Sequence, residues 1–255
     1  MIEHVSAVII VKNGSETIRE TLDSLTCFRE VVLYDNGSSD DTLAIAAMYP
    51  NVVIFEGKFQ GFGKTKQAAV LCASNDWVLS LDADEMVTPE LASYLETWLP
   101  NQDPTIAIKI LRKNFLMGEY VKYAGWGGDW LVRLFNRDAH NFNDNDVHES
   151  VALHSGSFVK KIPYSINHNA VQHLGQFLVK VDRYTEINRQ SGKSYPPSII
   201  LIKSIWRFLE SYFLKGGFLA GWRGLAISWS NANGVFYKYM KPYADKHSET
   251  NTTER

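Results

Sequence analysis

The sequence predicts a doubly wound α/β domain built on a mostly parallel sheet, with a helical appendage at its C-terminal end. Three observations carry this. Short β-branched runs alternate with helical patterns through the first hundred residues, the β-α-β-α order that builds parallel sheets. The first run, residues 5–11, is apolar at all positions but Ser6, as expected of a strand covered on both faces. A length of 255 residues, 45% hydrophobic and 21% charged, allows one large domain with a smaller addition.

Each element has its own signal. After the first strand, residues 15–25 place Ile18, Leu22 and Leu25 on one helical face. Residues 31–34 form a second strand that ends at Asp35, before the turn-rich Asn36-Gly37-Ser38-Ser39. A short helix at 40–48 and a third strand at 52–55 follow. The segment 57–63 is a loop, and 64–73 a helix. Residues 77–81 are a fourth strand, running into Asp82-Ala83-Asp84-Glu85. Thr88-Pro89 marks a helix start, a capping hydroxyl followed by proline at the first helical position, and Leu91, Leu95 and Trp98 continue that helix. From residue 106 the pattern changes. Strands at 106–111, 130–135, 147–153 and 158–162 are separated by Gly, Asn and Asp, and a helix at 175–190 spaces Phe177, Val181 and Tyr184 along one face. No internal repeat or low-complexity linker interrupts the chain. The expected division is 1–197 (1–105 and 106–197 as its two halves) and 198–255 as the appendage.

The appendage contains an amphipathic helix with Ile202, Ile205, Leu209 and Phe213 on one face, then a glycine-punctuated apolar stretch at 216–236 that is a poor membrane span. Between Ser198 and Pro242, six Lys and Arg face Glu210 alone, a net +5, which leaves −7 of the overall −2 for the rest of the chain. A basic segment carrying Trp206, Phe208 and Phe213 on an acidic body suits an anionic membrane surface. No nucleic-acid-binding motif accompanies it, so nucleic acid is not expected as a partner. The residues after Met1 lack a basic run and a small-residue cleavage site, which argues against a secretory signal. Cys27 and Cys72 lack metal-ligand spacing and are expected to be free thiols.

The residues that carry chemistry lie where the strands end. In a doubly wound sheet, ligands sit outside the carboxyl ends of the strands. Asp82 and Asp84, one residue apart at such an exit, can hold a divalent cation that neutralises a diphosphate. Asp35 closes the second strand at the same sheet edge and can accept a hydrogen bond from the imide N–H of a uracil ring, while Ser39, Asp40 and Thr42 read as turn and capping residues. Two other readings of the aspartate pair are disfavoured. Phosphatases of the haloacid dehalogenase type carry theirs on the first strand with a threonine two residues on, where this chain has Met86. A dinucleotide oxidoreductase needs a G-x-G-x-x-G, and Lys12-Asn13-Gly14-Ser15-Glu16 is not one.

Together, residues 8–13, 34–42, 61–67 and 77–85 resemble the family 2 glycosyltransferases of the GT-A (Rossmann-like) fold. Gly125-Trp126, Arg133-Leu134-Phe135, Val147-His148-Glu149, Lys180 to Tyr184 and Gly217 to Gly224 are similar to bacterial heptose β-1,4-glucosyltransferases of the lipopolysaccharide inner core. The resemblance spans about residues 5–242. It implies a UDP-sugar donor, a Mg²⁺ or Mn²⁺ ion, a lipid-linked saccharide acceptor, and work on the cytoplasmic face of the bacterial inner membrane.

Residue by residue, it implies that Asn13 and Asp35 contact the uridine, that Val11 belongs to the nucleotide-sugar site and that Lys66 lies near the nucleotide. Asp82 contacts ribose or metal, Asp84 the metal, and Glu149 is the catalytic base. His168 would complete the metal site, although Asn169-Ala170-Val171 departs from the subgroup after it, and His173 competes for that role. Trp126, Asp129 and Arg133 are candidates for the sugar or acceptor pocket, with Arg133 open to a phosphate or a buried ion pair. Asp144 and Asp146 are rival bases to Glu149. Another lipid-linked or capsular acceptor, and a non-catalytic nucleotide- or glycan-binding module, stay open at this level.

Overall fold

The computed structural model describes residues 1–145, 149–189 and 192–253. Its core is a sheet whose first four strands are parallel. Strand β1 (Val5–Val11) lies between β2 (Val31–Asp35) and β4 (Trp77–Asp82), with β3 (Val52–Glu56) outside β2. Both faces of β1 are covered, which is why its sequence hardly alternates. Val5, Ala7 and Ile9 are buried with Ile18 and Leu22 of α1 (Ile18–Asp23) and with Leu25. Val8, on the opposite face, joins Ala69 and Val70 of α3 (Phe62–Leu71). Each of the valines, isoleucines and leucines among them contributes about 1.5–3 kcal/mol on burial. Helix α2 (Thr42–Ala46) follows β2. Helix α4 (Pro89–Glu96) starts where Thr88 accepts a hydrogen bond from Leu91 N–H at 3.4 Å.

Beyond β4, parallel order gives way to antiparallel pairing. β8 (Asp129–Asn136) pairs with β4 and with β6 (Ile106–Leu116), and β11 (Phe158–Val171) pairs with β5 (Glu85–Val87). The sequence marks β6 and β11 by their starts alone; both run on well past the expected 111 and 162. Three short strands were not expected: β5, β7 (Glu119–Tyr120) on the end of β6, and β9 (Asn141–Phe142), which pairs with β10 (Val151–Ala152). The expected strand at 147–153 reduces to β10, and residues 146–148 lie outside the described residues. Short strands gain most of their stability from the neighbour they pair with, so their own residues signal them poorly.

The chain forms two compact units. The first contains Met1–Lys113 and Gly128–Asn169, the second Asn114–Gly127 and Ala170–Arg255. In the second, α5 (Gly175–Arg189), α6 (Pro197–Leu209) and α7 (Gly221–Thr253) are the long helices, with a π-helical turn (Glu210–Leu214) and a 3₁₀ turn (Gly217–Ala220) between the last two. The inner stripe of α5 runs through Phe177, Val181 and buried Thr185; Tyr184, expected on it, is 55% exposed. Steps of four residues keep to one helical stripe, and Tyr184 falls beside it. Both cysteines are free thiols, and burial pushes each thiol's pKa up.

Candidate active site at the carboxyl ends of the parallel strands

Strand register alone brings the first candidates together. Val11 pairs with Asp35 across β1 and β2, and Ile10 pairs with Asp82 across β1 and β4, so the two aspartates flank the end of β1. The loops that follow are tied to each other. Asn13, in the left-handed region at φ 53°, accepts from Ser39 N–H at 2.8 Å and donates its own N–H to Ser38 Oγ at 2.9 Å. Gly14 N–H donates to Thr42 Oγ1 at 2.8 Å and Ser15 N–H to Asp40 at 3.0 Å. The turn cluster read from the sequence therefore ties loop to loop, and no side chain caps α2. Hydrogen bonds from Thr42 and Ser15 hold the Asp40 carboxyl well below the usual carboxylate range.

Asp35 is buried, and its carboxylate accepts from Gly37 N–H at 2.9 Å and from Ser38 N–H and Oγ. The same group thus shapes the turn that it would share with a bound base. Asp35→Ala is expected to weaken UDP binding by about 1–3 kcal/mol, the usual cost of losing a hydrogen bond to a charged group. Titration calorimetry checks this, and an unchanged affinity would take Asp35 out of the nucleotide site.

Past β4, charge is concentrated. Lys66, on the buried face of α3, donates to Asp82 Oδ1 at 2.8 Å and to Glu149 Oε1 at 2.7 Å. Arg133 donates to Asp82 Oδ2 at 2.9 Å and to Glu85. Arg112 reaches Glu85 at 3.2 Å and Asp129 at 2.8 Å. Three cations and four carboxylates are thereby locked in one network, each buried charge held by a partner. Burial works against the Asp82 charge, but Lys66 and Arg133 override it and hold the carboxyl well below the usual range. Burial likewise disfavours the Lys66 ammonium, and the Asp82 and Glu149 carboxylates hold its pKa above the ordinary lysine value.

Glycines admit the segment that carries Glu149. Gly61 has φ 91°, and a Cβ on Gly63 would lie 2.0 Å from the Asn143 carbonyl oxygen. Gly63 N–H also donates to the Asn145 carbonyl at 3.0 Å, seating residues 143–145 on the start of α3. Asp144 accepts from Gln67 Nε2 at 2.7 Å there. Asp146 lies outside the described residues.

Asp84 meets His168, whose Nε2 is 3.2 Å from Asp84 Oδ2. The pairing of β5 with β11 sets this contact: His168 is in register with Glu85, and Asn169 N–H donates to the Asp84 carbonyl at 3.0 Å. Among the described residues no three His, Cys, Asp or Glu side chains form a metal cluster. One carboxylate and one imidazole side by side nevertheless fit a divalent ion that takes its remaining ligands from substrate phosphates and water, as Mg²⁺ commonly does. His173 belongs to the second unit.

The remaining candidates are placed as follows. Asp129 is bound to Arg112, and Arg133 is the buried ion pair of its two alternatives. Trp126 lies in the second unit, its ring centroid 6.1 Å from that of Phe177 and its carbonyl accepting from Asn114 at 2.9 Å. Sequence reasoning missed Glu85 and Arg112. The available signal was Arg133, flanked by Leu131, Val132, Leu134 and Phe135 in strand 129–136, since a buried cation requires a buried carboxylate; Arg112, between Leu111 and Lys113, carries no comparable signal.

Several known proteins are similar to this chain. The model of glycosyl transferase family 2 matches residues 6–153. The uncharacterized glycosyltransferase RT0209 of Rickettsia typhi is 28% identical over 252 residues, covering 93% of this chain and 86% of that protein. The lipopolysaccharide core biosynthesis glycosyltransferase LpsC of Rhizobium meliloti is 24% identical over 251 residues, covering 93% and 91%. Among solved structures, residues 1–349 of S. aureus TarS align at a TM-score of 0.45 and 14% identity, over 96% of this chain and 91% of that one. The matched span runs from β1 through β10 and takes in Asp35, Lys66, Asp82, Asp84 and Glu149; the chain belongs to glycosyl transferase family 2.

Proposed function

We propose that this chain transfers a hexose, glucose by preference, from a UDP-sugar to a heptose of the lipopolysaccharide core, with inversion at the anomeric carbon. The observation that carries the reading is the placing of two functional groups in one unit: the Asp84–His168 pair, and Glu149 held by Lys66 beside Asp82. The name of the Rhizobium meliloti relative supports the lipopolysaccharide core as the acceptor, and the heptose rests on the resemblance of residues 125–126, 133–135 and 217–224. Residues 1–197 are the catalytic part, and 198–255 attach it peripherally to the cytoplasmic face of the inner membrane.

In this reading Val11, Asn13 and Asp35 receive the uridine. Asp84 and His168 would hold a Mg²⁺ or Mn²⁺ ion, which when bound supplies positive charge against the diphosphate. The acceptor hydroxyl oxygen forms a bond to the anomeric carbon as the bond from that carbon to the phosphate oxygen breaks, and UDP leaves. The hydroxyl proton passes to the Glu149 carboxylate, a general base on the face opposite the leaving group. Asp82 is spoken for by two cations, so its part is to hold Lys66 and Arg133 in place and to meet the ribose.

A donor screen tests this. UDP release is measured for a panel of nucleotide sugars with lipopolysaccharide core acceptor, with and without EDTA. UDP-glucose is expected to rank first, with turnover removed by EDTA and restored by Mn²⁺. Another sugar ranking first would change the donor, and turnover indifferent to EDTA would end the metal assignment.

A further inference from the structure

Helix α6 turns its bulky apolar residues away from the protein. Its packed stripe is Ile200 and Ser204, continued by Ser211, all buried. The opposite stripe carries Ile202, Ile205, Leu209 and Phe213, exposed at 66, 51, 38 and 55%. An ordinary surface helix does the reverse. The neighbouring helix α7 repeats the pattern, with Gly224, Ile227 and Ser228 buried and Trp222, Leu225 and Trp229 exposed.

Beside buried Ile227, which joins an apolar cluster with Leu116 and Val121, small polar groups hold these segments together. Ser228 donates to Ser211 Oγ at 3.0 Å, Asn231 Nδ2 to the same oxygen at 3.1 Å, and Ser211 to the Ala124 carbonyl at 3.0 Å. A Cβ on Gly224 would lie 1.7 Å from the Gly217 carbonyl oxygen, so the close approach of these segments depends on glycine.

The outward face is continuous and large. Trp229 meets Phe208 edge-on at 5.8 Å, Phe208 stacks on Tyr212 at 5.4 Å, and Tyr212 meets Phe213 at 5.1 Å and Phe218 at 6.4 Å. Fourteen of the 27 large hydrophobic side chains exposed among the described residues fall between Ile199 and Tyr237. That concentration in one stretch of chain departs from the singly scattered apolar residues normal on a soluble surface. Among the described residues no helix is long and apolar enough to cross a membrane.

We propose that this face of α6 and α7, centred on Ile202, Ile205, Trp206, Phe213, Trp222 and Trp229, lies in the plane of a lipid bilayer with its aromatic side chains in the interfacial layer. The proposal rests on the membrane-surface reading above and names the surface and the force that holds it. Attachment comes from apolar burial. Four of the six cations that the sequence sets against an anionic surface already have carboxylate partners: Arg207 and Lys215 share Glu210, Arg223 pairs with Glu119, and Lys241 with Asp182 and Glu186. A second copy of the chain is the poorer occupant. Counting the outside partners Glu119, Asp182 and Glu186 against the +5 of the 198–242 segment still leaves +2, so two copies would meet with like charge, whereas phospholipid offers acyl chains to the apolar face and phosphates to the charge that is left.

The test is flotation of the full chain with phosphatidylcholine vesicles and with vesicles containing phosphatidylglycerol, at about 0.1 and 0.5 M NaCl, where screening differs strongly. Binding to neutral vesicles is expected at both salts, changing less than about threefold, because apolar burial is not screened. Quenching of tryptophan fluorescence by brominated lipid is expected in the wild type, which needs no variant. The double variant Ile205→Glu, Trp229→Glu is expected to lose at least about tenfold in vesicle binding, with UDP affinity and circular dichroism unchanged. Binding that requires phosphatidylglycerol and collapses with salt would overturn the proposal in favour of charge. A vesicle-free wild-type dimer that the double variant makes monomeric would assign the face to a second copy. Neither the vesicle nor the quenching experiment uses a sugar donor, so a failed donor screen and a failed flotation are separate results.

Discussion

Glu149→Gln is expected to lower kcat by about 10²–10⁴-fold, the usual contribution of a general base, with donor affinity nearly unchanged. The substitution keeps shape and hydrogen-bonding capacity but cannot accept a proton at neutral pH. Its structural effect is limited because Lys66 retains Asp82 at 2.8 Å. The lysine therefore keeps a carboxylate partner, and the heavy cost of an unpaired buried charge is avoided. Steady-state kinetics with product analysis checks the prediction, with Asp144→Asn and Asp146→Asn as controls. Asp144 is bound to Gln67 on the flank of α3, so little loss is expected from it. A Glu149→Gln enzyme with more than about half its kcat, beside an inactive Asp146→Asn, would move the base to Asp146. Retained activity in all three would end the single-carboxylate mechanism.

Asp84→Ala is expected to remove transfer, by about 10³-fold or more, while the fold stays intact. A metal-held charge on the leaving group is worth several kcal/mol, and each 1.36 kcal/mol is a factor of ten in rate. The fold should tolerate the change because the contact that fixes this segment uses the backbone: the Asp84 carbonyl accepts from Asn169 N–H, and alanine keeps it. Circular dichroism and calorimetric titration of Mn²⁺ in the presence of UDP separate loss of metal from loss of fold. Near-normal turnover in Mn²⁺ would show that Asp84 is not the metal ligand.

Much of the site could be read directly from residue order. Asp35, Asp82 and Asp84 follow apolar strands, and parallel pairing with β1 brings the ends of those strands to one edge. Local composition says where a buried strand stops, and β-α-β order says which way it points. The partners of those residues could not be read in this way. Asp82 was a candidate ligand in the sequence, but the structure gives its carboxylate to Lys66 and Arg133. Glu85, in the same four-residue run past the end of the fourth strand, opens a strand of its own and is fully buried.

The sequence by itself determined the fold class, the family and the strand ends that carry the candidate residues, because strand burial, helix capping and motif spacing are properties of neighbouring residues. Tertiary structure decided the rest. The pairing of β5 with β11 sets His168 beside Asp84 across 84 positions of chain, the packing of residues 143–145 on Gly63 accompanies the contact of Glu149 with Lys66, and the burial of Ser204 on α6 turns Ile202 and Ile205 outward. The physical reason is common to all three. Which side chain faces which, and which face of an amphipathic helix is covered, is set by the free energy of pairing and packing between distant segments, which the local order of residues does not display.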